Sequence, residues 1–178
     1  MQIIDQKFRK NLFNYVFQCF LATAILIVAL LFLNIVTETA LIASLGATAF
    51  IIFAMPKTYA AAPRRVIGGY SIGIITGITC FYLGQLLQPL SPLNQYMNHN
   101  SPIILAATAV GLSIFFMVLT DTEHAPAAGI SLGLVINQWD ESSVAFIIGV
   151  MLAMTIIKYL LKAHFINLTS PDLEKATK

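Results

Sequence analysis

The sequence is short of charge. Only 10% of its 178 residues are Asp, Glu, Lys or Arg, whereas hydrophobic residues make up 58%. A soluble domain usually devotes about a quarter of its residues to charge, because a charged surface keeps it dispersed in water. This shortage excludes an ordinary soluble domain and predicts an integral membrane protein with the lipid bilayer as its main partner.

Cysteine is equally scarce, since Cys19 and Cys80 lie alone in apolar stretches. Neither is part of a CxxC motif or lies near a His pair, so we expect free thiols and no metal site. No nucleotide loop or haem motif is present, and the cluster of Asp121, Glu123 and His124 lacks an adjacent Ser or Cys nucleophile. We therefore expect no cofactor and no enzymatic activity. The basic residues flank apolar segments, which argues against nucleic-acid binding.

Long apolar segments are abundant. A helix needs about 20 apolar residues to cross a bilayer core, and four segments satisfy this: Leu12–Val36, Val66–Leu87, Pro102–Leu119 and Ser143–Leu161. Two shorter segments rich in small residues lie between them, Thr39–Met55 and Ala125–Ile136. We expect an all-α, six-span helical bundle that forms one transmembrane domain over residues 1–178, with the two short helices at its centre. Whether the short segments cross fully or re-enter the same face stays open.

The positions of the basic residues predict the orientation, because Lys and Arg in short loops favour the cytoplasmic face. If all six segments cross from a cytoplasmic N-terminus, all ten basic residues lie on or near that side: Lys7, Arg9, Lys10, Lys57, Arg64, Arg65, Lys158, Lys162, Lys175 and Lys178. The first apolar run is longer than the core of a signal peptide and lacks a convincing cleavage site, so we interpret it as a retained span. We predict cytoplasmic N- and C-termini in a bacterial inner or plasma membrane.

Two stretches are weakly similar to each other. "TETALIASLGATAF" from Thr37 and "TEHAPAAGISLGLV" from Thr122 share Thr-Glu, two Ala positions and, after a slip, Ser-Leu-Gly. Two halves of three spans each, 12–87 and 102–161, would insert with opposite orientations, as in the inverted repeats of secondary transporters. A chance match in an apolar sequence is the alternative.

Both short helices follow a Thr-Glu pair. A helix N-terminus carries unpaired N–H groups and a partial positive charge, so it attracts anions. Pro126 suits the first turn of a helix, and Thr122 or Glu123 is the expected cap. If the two N-termini meet near the bilayer midplane, they form an anion site without a buried Lys or Arg.

These considerations select candidate functional residues. On the substrate path we place His124, Glu123, Pro126, Gly129, Ser131, Gly46, Thr48 and Glu38, and at the cytoplasmic mouth Arg64, Arg65 and Asp121. Glu123 with His124 is a candidate for proton transfer when partly buried. The alternative interpretation is structural: the small residues form a tight helix seam, the acidic residues are caps or solvated loop charges, and the arginines anchor a helix at lipid headgroups.

Three ordered motifs resemble the HPP family of integral membrane proteins: "SLGATAFIIFAMP" (Ser44–Pro56), "APRRVIGGYSIG" (Ala62–Gly73) and "EHAPAAG" (Glu123–Gly129). The name-giving His-Pro-Pro of that family is here His124, Ala125 and Pro126. Its typical Pro-Arg-Asn is here Pro63, Arg64 and Arg65, and the His that often follows the glycine pair is Tyr70.

The resemblance implies a multi-span bundle and, from plant plastid members, a role in nitrite transport. Gly68 and Gly69 match the family's glycine pair at the start of the third span, and we interpret them as residues of close helix packing. The leading hypothesis is therefore a transporter or channel for a small monovalent anion, nitrite-like, with proton coupling as an option. The alternatives are a structural or sensory module that acts with a partner protein, and a cation transporter that uses Asp121, Glu123 and His124. Homo-oligomerisation is an open expectation.

Overall fold

The structure is a computed structural model of the chain, and it describes residues 10–33, 38–87, 94–137 and 139–169. In these ranges the chain is helical and contains no strand, which confirms the all-α prediction. The helices are α1 (Leu12–Phe32), α2 (Thr39–Ala49), α3 (Pro63–Leu87), α4 (Asn94–Leu119), α5 (Ala125–Ile136) and α6 (Glu141–Leu160). A π-helical segment, Phe50–Ala54, continues α2, and a 3-10 turn, Tyr59–Ala61, precedes α3.

Helix length separates two groups. In the described ranges α1, α3 and α6 are long and apolar enough to cross a membrane, whereas the apolar parts Thr39–Ala54, Ile103–Leu119 and Ala125–Ile136 are shorter. At about 1.5 Å per residue, the 12 residues of α5 span only about 18 Å, less than the hydrocarbon thickness of about 30 Å. Three helices of the described chain therefore have the length and composition of membrane spans, and six full crossings stay a prediction.

Three helices begin earlier than the sequence predicts: α3 at Pro63 rather than Val66, α6 at Glu141 rather than Ser143 and, by the largest margin, α4. The helix expected at Pro102–Leu119 begins eight residues earlier, at Asn94, because hydropathy marks only the apolar part of a helix and its polar first turns escape the pattern. The expected end of the first span, residues 34–36, lies outside the described residues. The helix at Ala125–Ile136 has the predicted bounds.

One end of the bundle holds the start of α1, the connections from α2 to α3 and from α4 to α5, and the end of α6. Near the start of α1, the Tyr15 hydroxyl donates to the Leu168 carbonyl oxygen at 2.6 Å, and the Leu168 amide donates to Ala54 at the end of the π-segment at 2.8 Å. Arg64 at the start of α3 donates to the carbonyl oxygen of Thr120 after α4 at 3.1 Å. We call this the basic end, since it holds Lys57, Arg64, Arg65, Lys158 and Lys162. Successive helices therefore alternate in direction.

The short helix α5 lies at the centre of the described bundle and packs against α2, α3 and α4. It runs antiparallel to α2, because Gly129 faces Ser44 and Gly133 faces Leu41. The N-terminus of α5 consequently lies at the basic end and that of α2 at the opposite end. The hypothesis that these two N-termini meet near the midplane is wrong, because small residues let the two helices pack side by side along their lengths.

Candidate functional site

His124 lies immediately before α5 and is completely buried. Its Nε2 is 3.1 Å from Oγ1 of Thr48 on α2, and its Nδ1 is 3.0 Å from the carbonyl oxygen of Ala60. Oγ1 of Thr48 is also 2.7 Å from the hydroxyl of Tyr70 on α3. Thr48 and Tyr70 are each 0% exposed, so the three side chains form one buried polar network that joins α2, α3 and the start of α5.

The directions of these hydrogen bonds follow from the chemistry of the groups. The Ala60 carbonyl oxygen only accepts, so Nδ1 of His124 carries the hydrogen and Nε2 is the acceptor. The Thr48 hydroxyl then donates to Nε2, and the Tyr70 hydroxyl donates to Thr48. A protonated His124 would reverse both of these bonds, so the arrangement fits the neutral imidazole.

Burial also favours the neutral form of His124, which lies in the connection between α4 and α5. Removal from water lowers the pKa of this imidazole well below its ordinary value, and the hydrogen bond to Ala60 opposes this only in part. His124 is therefore neutral at neutral pH.

A cluster of charged side chains covers the buried network at the basic end. Arg65 is only 3% exposed and forms ion pairs with both Asp121 and Glu123. The ring of Tyr59 stacks on the guanidinium, with its centroid 3.0 Å from Cζ, and the Tyr59 hydroxyl donates to Asp121 at 2.6 Å. Exposed Arg64 lies 3.7 Å from the second carboxylate oxygen of Asp121. Two arginines and two carboxylates thus neutralise each other in this arginine–carboxylate cluster.

The turn from α4 to α5 has two features that place this cluster. Asp121 adopts a positive φ of 56°, a conformation that Asp tolerates better than most residues. The amide of Thr122 donates to Met117 at 2.9 Å. The N-cap of α5 is His124, with no side-chain cap hydrogen bond, so the expectation that Thr122 or Glu123 caps this helix is wrong. The Glu123 carboxylate contacts Arg65 instead.

Glycines on α3 bring its backbone against α5. A methyl group at Gly69 would lie 2.8 Å from Cβ of His124, and one at Gly73 would overlap the carbonyl oxygen of Ala127. At Gly77 it would lie 3.0 Å from Cα of Ser131. A methyl group at Gly68 would lie 2.5 Å from Cγ2 of Thr122. Close approach of this kind requires residues without side chains, and it holds His124 beside Tyr70, with their ring centroids 5.8 Å apart.

The structure brings only some of the predicted site residues together. His124 and Thr48 share one network, while Glu123, Arg64, Arg65 and Asp121 share another. Pro126 and Ser131 are buried on α5, and Gly129 faces Ser44. Glu38 is buried at the N-cap of α2, at the far end from His124. A methyl group at Gly46 would meet nothing within 4 Å, so this glycine lies apart from both networks.

Sequence reasoning missed four residues. Tyr70 was noted only as a departure from a family pattern, although a hydroxyl within an apolar span is a signal for buried hydrogen bonding. Gly73 and Gly77 continue Gly69 at four-residue spacing, which is the signature of close helix packing. Ser113 is 0% exposed and its hydroxyl has no hydrogen-bond partner among the described residues; nothing in the sequence singles it out.

A comparison with protein families gives one match. The family model described as HPP, transmembrane region, matches residues 7–173. No curated protein and no solved structure matches the chain.

Proposed function

Because the chain belongs to the HPP transmembrane family, we propose that it carries a small monovalent anion, of the size and charge of nitrite, across the bilayer along α5. The observation that carries this proposal is the buried network of His124, Thr48 and Tyr70 at the N-terminus of α5. Hydroxyl hydrogens rotate toward whichever acceptor is present. Two hydroxyl donors beside the positive end of a helix are therefore suited to a desolvated anion.

Ser113 on α4 supports a second anion position along α5. The buried side chains of α4 face α3 and α5, the helices with which α4 packs. Within that face the Ser113 hydroxyl has no acceptor or donor among the residues that the structure describes. Buried polar groups are nearly always satisfied, so an orphan group indicates a site for water or an ion. A passing anion would accept the hydrogen bond of Ser113.

The arginine–carboxylate cluster supports a state of the transport cycle in which the path along α5 is closed at the basic end. Asp121 and Glu123 occupy the guanidinium of Arg65 that an entering anion would otherwise contact. Opening would separate Arg65 from at least one carboxylate and expose His124 below it. The proposal does not assign a coupled proton to His124, because burial lowers the pKa of this imidazole.

Cation transport receives less support. Both carboxylates that the cation hypothesis requires are paired with Arg65. In the described part of the chain no group of three or more His, Cys, Asp or Glu side chains is placed to hold a metal ion. An unchanged cation flux in Glu123→Gln would remove this hypothesis completely.

A module that transports nothing is the second candidate function. The close contact of α3 with α5 at Gly69, Gly73 and Gly77 favours it. Contact of Gly73 with the backbone of Ala127 leaves no space between α3 and α5 at that level. Such packing suits a rigid unit that transmits a signal to a partner protein. Co-purification of one stoichiometric partner without any flux would favour this function.

The test is nitrite entry into liposomes that contain the purified chain, with and without an inward proton gradient. Thr48→Val removes the central hydroxyl at nearly constant volume, whereas Thr48→Ser keeps it. Exposed Thr79, whose hydroxyl bonds to Ile75, supplies the control Thr79→Val. We expect a loss of at least tenfold in Thr48→Val and near-normal entry in Thr48→Ser and Thr79→Val. Absence of nitrite, nitrate, formate and chloride flux in the unmodified chain would refute the proposal.

A further inference from the structure

A surface cavity of about 410 Å³ opens at the basic end, where α1 begins and α6 has ended. This volume falls within the range of about 300 to 1,000 Å³ that ligand pockets occupy. It lies away from the His124 network and from the arginine–carboxylate cluster. We call it the α1–α6 cavity, and it is lined by Phe13, Asn14, Phe17, Leu161, Ala163 and His164.

The walls of the α1–α6 cavity are mainly apolar. The rings of Phe13 and Phe17 stack with their planes parallel within 4° and their centroids 5.9 Å apart, so they form one aromatic wall. Phe13 is 76% exposed, which is costly in water and favourable against a hydrocarbon chain. An acyl chain is therefore a suitable occupant of this wall.

Hydrogen bonds between α1 and the segment after α6 hold the cavity in shape. The Asn14 side chain donates to the carbonyl oxygen of His164 at 3.0 Å. Gln18, one turn further along α1, donates to Ile166 at 3.0 Å. Because these bonds link the two sides of the cavity, it is preformed, and binding of a ligand requires little further ordering of the protein.

The charge around the cavity is positive. Lys162 lies in the chain between the lining residues Leu161 and Ala163, and its Nζ is 4.9 Å from the ring centroid of Tyr159. Lys10 precedes Phe13 by three residues and is exposed. None of the lining residues is acidic. Basic pockets beside membrane helices are suited to anionic lipid headgroups.

We propose that the α1–α6 cavity binds one anionic phospholipid, with an acyl chain along Phe13 and Phe17 and the phosphate near Lys162. The headgroup then lies at the basic end, where the cytoplasmic leaflet is predicted. The lipid would fasten α1 to the end of α6. This binding is independent of anion transport, so either proposal can fail without the other.

The experiment is native mass spectrometry of the purified full chain with phosphatidylglycerol and phosphatidylcholine of identical acyl chains. Lys162→Gln removes the charge and keeps the cavity. Ala163→Trp fills the cavity and keeps the charge, and Ala163 is exposed, so the larger ring can be accommodated. Lys57→Gln is the matched control, since Lys57 lies at the same end but is not adjacent in the chain to a lining residue, whereas Lys162 lies between two of them.

We expect the unmodified chain and Lys57→Gln to retain one phosphatidylglycerol about fivefold more strongly than phosphatidylcholine, which corresponds to one lysine near a membrane surface. Lys162→Gln should lose this preference, and Ala163→Trp should retain neither lipid. Equal retention of the two lipids by the unmodified chain would overturn the proposal. So would undiminished retention by Ala163→Trp, or an equal loss of preference in Lys57→Gln, which would indicate a general charge effect.

Discussion

Two buried serine and threonine hydroxyls differ from the others in the described helices. Most helix hydroxyls donate to a carbonyl oxygen three or four residues earlier, as do Thr23, Ser44, Ser71, Thr76, Thr79, Thr108, Thr120, Ser131 and Thr155. Thr48 bonds instead to Tyr70 and His124, and Ser113 has no partner in the described chain. A hydroxyl that is not used by its own helix is available to another group, so these two residues are the best targets for substitution.

Ser113→Ala should separate stability from function. An unsatisfied buried hydroxyl costs about 1 to 3 kcal/mol, so its removal should raise the free energy of unfolding by roughly 1 kcal/mol or leave it unchanged. Anion flux should fall, because the donor on the proposed path is lost. The measurements are unfolding in detergent and flux in liposomes.

Ser71→Ala is the control for this substitution, since Ser71 is exposed and bonds to Ile67. It should change neither quantity. A stabilised Ser113→Ala variant with full flux would assign Ser113 to packing alone.

At the scale of helices, α3 and α5 are held together by backbone contact. Gly73→Ala should destabilise the bundle by several kcal/mol or prevent assembly, because the new methyl group would overlap the backbone of Ala127, which cannot rotate away. Size-exclusion behaviour and thermal unfolding in detergent measure this. A methyl group at Gly149 on α6 would meet nothing within 4 Å, so Gly149→Ala should be neutral or stabilising by about 0.5 to 1 kcal/mol. Equal effects of the two substitutions would contradict close packing of α3 on α5.

The stability of the first turn of α6 should depend on pH through the carboxylate of Asp140. Its carboxylate accepts hydrogen bonds from the Ser143 amide at 2.7 Å and the Ser143 hydroxyl at 2.8 Å, and these bonds, the amide first, lower the pKa of Asp140. Because the folded pKa is depressed, the stabilisation is complete above the ordinary Asp pKa and is lost as pH falls through the folded value.

Hydrogen-exchange protection of the first turn of α6 measures this effect. Protection should decrease as pH falls below the ordinary Asp pKa toward 2. Asp140→Ala should lack the protection even at neutral pH, and Asp140→Asn, which keeps a neutral acceptor, should lose the pH dependence. Unaltered protection in Asp140→Ala would show that the cap contributes nothing to this helix end.

At the scale of the whole molecule, the alternating helices place Lys57 and the start of α6 at opposite ends. In a background without Cys19 and Cys80, we expect Lys57→Cys to react with an impermeant maleimide only from the cytoplasmic side. Ser142→Cys should react only from the other side. Reaction of both positions from one side would contradict six crossings and would favour re-entrant short helices.

Much of the fold was predictable from local pattern. The segment Ala125–Ile136 was delimited correctly, because a polar cluster precedes it, Pro126 lies in its first turn and Asn137 follows it. The long spans were recognisable from hydropathy, since the bilayer demands apolar length. The site was predictable only in part: His124 and Thr48 were chosen as polar residues next to small ones, but their hydrogen bond joins residues 76 positions apart, which periodicity cannot reveal.

The amino-acid sequence by itself determined the membrane class, the helical state and the family, because these depend on composition and on local order along the chain. Only the tertiary structure decided that Arg65 is paired with Asp121 and Glu123, that His124 is neutral beneath it, and that the N-termini of α2 and α5 lie apart. The physical reason is that ionisation and pairing depend on which groups share a space without water. The neighbours of Arg65 come from the α4–α5 connection, which packs closely on α3 at Gly68 and Gly69.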